Sequence, residues 1–216
     1  MNSLLKIGIM QGRLSVVPSF IYQEHPSDWT KEIPLCKKYN FNSIEWIVDF
    51  KSSKSNPLLR KDSTFLLKQK LESNNVCVKS ICADILLDGY DNSTFANASW
   101  FNDLKTLIYN SPCLGISVIV VPIIEHLSAM QHDIRKKLVE LLPMLYPDLK
   151  ANHVKVALEL DLPPNEVVSL MNELDSEYIG VNYDIGNSAS LGFSIQKEFE
   201  AYSDKILDIH VKDRLL

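Results

Sequence analysis

Val154-Lys155-Val156-Ala157-Leu158-Glu159-Leu160-Asp161 alternates strictly, with the valines and leucines on one side and Ala157, Glu159 and Asp161 on the other. Successive side chains of a β-strand point to opposite faces, so this stretch reads as a strand with one apolar face and one that ends in carboxylates. The same parity recurs in Ile179-Gly180-Val181-Asn182-Tyr183-Asp184, where Ile179, Val181 and Tyr183 oppose a face ending in Asp184. In Ile206-Leu207-Asp208-Ile209-His210-Val211-Lys212 the apolar side is Leu207, Ile209 and Val211, and Asp208, His210 and Lys212 take the other. Three strands in succession thus place a polar group near the C-terminal end of one face.

Upstream, β-branched runs at 6–10, 43–48, 78–83 and 117–122 read as four earlier strands. Apolar residues at three- and four-residue spacing lie between the strands, as in Leu66, Leu67 and Leu71, or the single helix expected over Leu138, Leu141, Leu142, Leu145 and Leu149. Pro163-Pro164 opens a helix at its first turn, and Ser194 reads as the N-cap of a short last helix. Residues 29–39 look helical but carry Pro34. Proline costs about 3 kcal/mol in a helix interior, so this helix begins near Ile33 or is kinked there. The polar run 51–55 reads as a loop, and 15–28 equally as a mobile loop over the mouth of the fold or as a packed surface loop.

Strand alternating with helix, without hairpin turns, implies parallel pairing through right-handed crossovers. Gly8 and Gly12 do not make a G-x-G-x-x-G loop, so a dinucleotide fold loses its main support. Seven such units point to an α/β (β/α) TIM barrel, whose full form has eight strands and about 250 residues. The expectation for these 216 residues is one domain spanning 1–216, with about seven parallel strands and the eighth missing. In a barrel the apolar strand faces meet the outer helices, so Glu159, Asp184 and His210 converge on the lumen at the end where barrel active sites lie. Two carboxylates and an imidazole are suitable ligands for a divalent metal.

Composition narrows the classes. The apolar share of 46% and charged share of 23% are those of an ordinary soluble protein. Lys and Arg number 22 against 27 Asp and Glu, a net charge of −5, which disfavours nucleic acid and anionic lipid as partners. Cys36, Cys77, Cys82 and Cys113 form no C-x-x-C pair and read as free thiols in a reducing compartment. No basic-then-apolar leader opens the sequence, and the apolar run 118–124 contains Pro122 and falls short of the roughly 20 residues of a membrane helix. A cytoplasmic protein with no membrane partner is expected.

Taken in order, five stretches resemble the xylose isomerase-like TIM-barrel superfamily, and within it the sugar phosphate isomerase/epimerase family. They are Ile7-Gly8-Ile9-Met10-Gln11-Gly12-Arg13-Leu14, Ser43-Ile44-Glu45-Trp46, Ala157-Leu158-Glu159, Asn182-Tyr183-Asp184-Ile185-Gly186-Asn187 and His210-Val211-Lys212-Asp213-Arg214. The resemblance implies a divalent metal (Mn²⁺, Mg²⁺, Co²⁺ or Zn²⁺) held by Glu159, Asp184, His210 and a second glutamate on an eighth strand that the sequence stops short of. It implies an isomerase or epimerase of a sugar, sugar phosphate or keto acid, working through an enediolate. Glu159 would be both ligand and general base, and epimerisation would be impaired without the opposite-face glutamate. Where several epimerases have D-x-x-H, this sequence has Asp184-Ile185-Gly186-Asn187, so Asn187 is expected to bond a substrate hydroxyl or a metal-bound water. Arg214 matches a position that contacts substrate in the family.

Further substrate-binding candidates are Lys212, which shares the parity of His210, Gln11 and Arg13 after the first strand, and Glu45 with Trp46 at the end of the second. Gln11 and Arg13 otherwise read as a surface turn, and Trp46 reads either as an apolar wall for a sugar or, more readily, as a core residue. Glu125 and His126 read as a solvated loop, and His25, His132 and His153 as incidental. A rival reading is a catalytically inactive barrel that serves as a binding or interaction module, its unpaired strand edges inviting a homodimer. An AP endonuclease-like phosphodiesterase fits less well, because it needs several histidines at the second and third strand ends.

Overall fold

The computed structural model describes residues 7–15, 24–96 and 100–213. The β-branched segments pair as seven parallel strands in chain order across one sheet: β1 (Ile9–Met10), β2 (Ser43–Ile47), β3 (Cys77–Cys82), β4 (Val118–Ile123), β5 (Lys155–Leu160), β6 (Ile179–Asp184) and β7 (Ile206–His210). Between them run α1 (Glu32–Lys38), α2 (Lys61–Asn74), α3 (Ile85–Asp88), α4 (Asn92–Ala96), α5 (Trp100–Leu114), α6 (His132–Leu141), α7 (Tyr146–Asn152), α8 (Pro164–Leu174), α9 (Ile185–Ser190) and α10 (Ile195–Tyr202).

Parity sorts the apolar residues into two cores. Ile44, Trp46, Val78, Val156, Leu158 and Val181 join the helices in one large outer cluster. Ile47, Cys82, Val120 and Ala157 fill the inner face, with Met10, Val118 and Leu207 packed against them. The sheet is curled into a half-barrel: Glu45 on β2 and His210 on β7 touch across the lumen, although four strands separate them in pairing order. Among the described residues no strand pairs with the outer edge of β1 or of β7, and beside the latter Ile209 and Val211 are 48% and 81% exposed.

Several local expectations need correction. β1 pairs only through Ile9 and Met10; Ile7 and Gly8 lie outside the ladder, and Lys6 lies outside the described residues. Pro34 is the third residue of α1, where a missing N–H costs no helical bond, and a 3₁₀ turn over Trp29–Lys31 leads in. The single helix expected over Leu138 to Leu149 is broken into α6, a 3₁₀ turn at Leu142–Leu145 and α7, because Pro143 and Pro147 cannot donate to the preceding turns. Ser194 does occupy the N-cap position of α10 but makes no side-chain capping bond. His153 ends α7 in a left-handed conformation (φ 54°).

β7 departs furthest. Val181 pairs with Ile206 and Asn182 with Asp208, so Leu207 is an extra residue in the ladder. The bulge turns Leu207 inward against the lumen cluster, on the same side as Asp208, rather than outward with Ile209 as simple alternation from Asp208 would have it. From Asp208 onward the pairing resumes, with Asp184 opposite His210.

Candidate metal centre

The half-barrel delivers Glu159, Asp184 and His210 from β5, β6 and β7 to one place at the mouth. One ligand atom from each lies within 4.8 Å of the others. Glu159 and Asp184 are buried at 5% and 4% exposure, and each is held by fixed donors. Asp184 caps α9, its Oδ1 accepting from the Asn187 N–H at 2.8 Å. The Asn187 side-chain amide donates to Glu159 Oε1, and Asn182 Nδ2 lies 3.2 Å from Glu159 Oε2 and 3.0 Å from His210 Nδ1. Lys212 places its ammonium 2.6 Å from Asp184 Oδ2 and 3.8 Å from Glu159 Oε1.

The electrostatics favour positive charge here. Burial works to raise the Asp184 pKa, but hydrogen bonds from His210, Lys212 and the Asn187 N–H, with the Lys212 charge, hold it at about 2. Burial likewise works against a charged His210, yet its bonds to Asp184, Glu159 and Glu45 push its pKa up to about 12. Oxygen and imidazole donors at this spacing, already drawing an ammonium to themselves, can hold a divalent cation.

A second group of three shares the same histidine. Glu45, Asp208 and His210 also offer atoms within 4.8 Å of one another. Both oxygens of Glu45 reach His210 Nε2, at 3.1 and 3.2 Å. Burial and then the Glu45 charge raise the Asp208 pKa. A cavity opens over both groups, lined by Arg13, Glu45, Glu159, Asn187, His210 and Lys212.

Not every residue singled out in the sequence joins the mouth. Trp46 lies on the other face of β2, fully buried in the outer core, where Nε1 donates to Asn56 Oδ1 at 3.2 Å, so it forms no wall of the lumen. Gln11 is buried at 1% rather than sitting in a surface turn, and its Oε1 accepts from the Ile47 N–H and faces His25 Nδ1, both at 3.0 Å. Arg13 is exposed at the rim. The loop around it is gathered by the buried Glu32 carboxylate, which accepts from the N–H groups of Gly12, Leu14 and Ser15. Arg214 lies outside the described residues, as do 16–23 of the loop expected over 15–28. The Glu125–His126 turn is exposed, as expected.

Three residues went unrecognised. Asn182 shares the parity of Asp184, a signal present in the sequence. Asp208 shares the lumen-facing parity of His210, but parity alone gives it no role. His25 is not incidental: it is buried, its ring 5.5 Å from that of Trp46, and its backbone N–H donates to Asp49 Oδ2. Its partners Gln11, Trp46, Asp49 and Asn56 lie 14 to 31 positions away, so no spacing announces it.

No protein-family model matches the sequence, and no curated protein matches it significantly. Solved structures do match. A xylose isomerase domain protein from Planctomyces limnophilus superposes with a TM-score of 0.71 at 15% identity, over 97% of this chain and 73% of that one. The apo form of 3-keto-D-glucoside 4-epimerase, YcjR, from E. coli gives 0.71 at 15% identity, over 97% and 80%. A xylose isomerase-like TIM-barrel protein from Mycobacterium smegmatis in complex with magnesium gives 0.67 at 16%, over 85% and 66%. Among the described residues no helix is long and apolar enough to cross a membrane. Identities this low speak for architecture alone, and the architecture of this chain is that of the xylose isomerase-like TIM-barrel proteins.

Proposed function

We propose that the chain is a divalent-metal-dependent isomerase or epimerase of a sugar, a sugar phosphate or a related keto acid. The observation that carries this reading is the meeting of Glu159, Asp184 and His210 at the mouth of the lumen. The likeness in fold to a sugar epimerase and to a magnesium-bound barrel supports it. A bound Mn²⁺, Mg²⁺, Co²⁺ or Zn²⁺ supplies Lewis-acid stabilisation of the anion that forms when a proton leaves the carbon beside a ketose carbonyl.

The chain's own residues do the remaining work. In isomerisation Glu159 takes that proton as general base and returns it to the neighbouring carbon, while the hydroxyl proton passes to the former carbonyl oxygen at the enediolate stage. Asn182 and Asn187 hold the carboxylate of Glu159 in one orientation, which keeps its reactive lone pair aimed. Lys212, 43% exposed in its side chain, faces the same space and offset the charge of a substrate oxygen. Arg13 at the rim offers a guanidinium to a phosphate or carboxylate.

The test is proton exchange. The metal-loaded protein is incubated with ketoses and ketose phosphates in D₂O, and loss of the proton beside the carbonyl is followed by NMR. Metal-dependent exchange that drops by about 10²–10⁴-fold in Glu159→Gln is expected. Exchange that survives in Glu159→Gln, or a protein that takes up no divalent cation, overturns the reading.

A further inference from the structure

The two ring nitrogens of His210 face different company. Nδ1 lies 3.5 Å from Glu159 Oε2 and 3.8 Å from Asp184 Oδ2. Nε2 faces Glu45, which reaches it from β2 on the far side of the lumen. Either nitrogen completes a three-residue group, with Glu159 and Asp184 or with Glu45 and Asp208. A neutral imidazole gives one lone pair to a cation and keeps hydrogen on its other nitrogen. Which nitrogen does which decides the role of every carboxylate around the ring.

Two observations turn Nδ1, rather than Nε2, toward a cation. Glu159 and Asp184 are buried and pinned by the side-chain amide and the backbone N–H of Asn187, whereas Glu45 and Asp208 are only part-buried. Finally, the two Glu45 oxygens are almost equidistant from Nε2, the posture of a carboxylate receiving a single N–H between its oxygens.

We infer that Glu45 is a positioning residue: it accepts the Nε2 hydrogen of His210 and thereby fixes the tautomer and ring plane that turn Nδ1 toward a cation shared with Glu159 and Asp184. The inference rests on the metal reading above. A histidine ligand whose outer N–H is held by a carboxylate is better oriented and more basic toward its metal. Glu45 then serves the imidazole rather than the substrate, the role suggested by its place at the end of a strand.

The experiment uses the full chain with Mn²⁺ and Zn²⁺ alone. Calorimetry gives affinity and stoichiometry for the unmodified protein, Glu45→Ala and Glu45→Gln, and ¹⁵N NMR of the zinc-loaded protein reads the His210 tautomer. One cation per chain is expected, with Nε2 protonated and Nδ1 on the metal. Glu45→Ala should bind about 10–100-fold more weakly at unchanged stoichiometry. Glu45→Gln, whose amide oxygen still accepts the N–H, should fall between, and it tests the same point if the alanine variant does not fold. Two cations per chain, a metal-bound Nε2, or affinity unchanged in both variants overturns the role of Glu45 while the metal reading stands. No cation bound by the unmodified protein overturns the metal reading itself, and the role of Glu45 with it.

Discussion

Two histidines at opposite ends of the sheet are held in opposite ways. His210 sits among three carboxylates, and their hydrogen bonds outweigh the cost of burying its charge, leaving a pKa near 12. His25 sits among amides and the Trp46 ring, where burial dominates the pull of Asp49 and of the Ile47 backbone and lowers the pKa to about 4. Both rings are largely enclosed, so burial alone does not predict which one gathers charge. The difference lies in the number of carboxylates within reach, and it separates a place built to hold a cation from a place built to hold the fold together.

Substitutions can sharpen that division. The largest effect expected is on stability at the His25 end. Trp46→Ala removes a fully buried indole together with its bond to Asn56, and should lower the unfolding free energy by about 3–5 kcal/mol in denaturant titration. Its cation affinity, measured where the variant is still folded, should stay within a fewfold of the parent. A parallel loss of affinity would break the division.

Acid probes the same end. The fold lowers the His25 pKa, so the unfolded chain binds more protons below pH 6.5, and stability is complete above that value and lost as the pH falls toward 4. The loss attributable to this ring should reach about 3 kcal/mol at pH 4, and His25→Phe should flatten that part of the pH–stability curve. At the other end, His210→Ala should weaken Mn²⁺ or Zn²⁺ binding by more than about 100-fold in calorimetry, beyond the effect typical of a residue that only supports a ligand. His25→Phe should leave that affinity in place.

The smallest effect concerns Lys212. Its ammonium lies against the carboxylates a cation would use and competes with it, so Lys212→Met should tighten Mn²⁺ binding by up to about fivefold. Weaker binding in that variant would mean that Lys212 holds Asp184 in place rather than rivals the metal.

How much of this could be read from residues alone depends on how far apart the partners lie. The strands of the second half were legible because parity is local, and it carried Glu159, Asp184 and His210 to one mouth. The β7 bulge was not, since an extra residue in a ladder is set by the neighbouring strand rather than by its own sequence. Asn182 lies on the lumen face by parity, but an amide is a weaker signal of a site than a carboxylate. The bond between Glu45 and His210 spans 165 positions and exists only because the sheet curls. His25 was invisible for the same reason, its partners Gln11, Asp49 and Asn56 being scattered over loops and strand ends. Pro143 and Pro147 are plain in the sequence, and they break the helix that the leucine period alone predicts.

The supernumerary residue in β7 makes the imidazole's direction a matter of counting. Leu207 and Asp208 both look into the lumen, so the five residues from Ile206 to His210 hold three inward positions where regular alternation starting from an outward Ile206 would give two. Shortening this segment by one residue would either pull His210 round toward the helical shell or strip the floor of its leucine plug. Most single replacements keep that count intact. The stretch should therefore be far more permissive of altered side chains than of altered length, and a library of one-residue deletions across it would map the requirement directly.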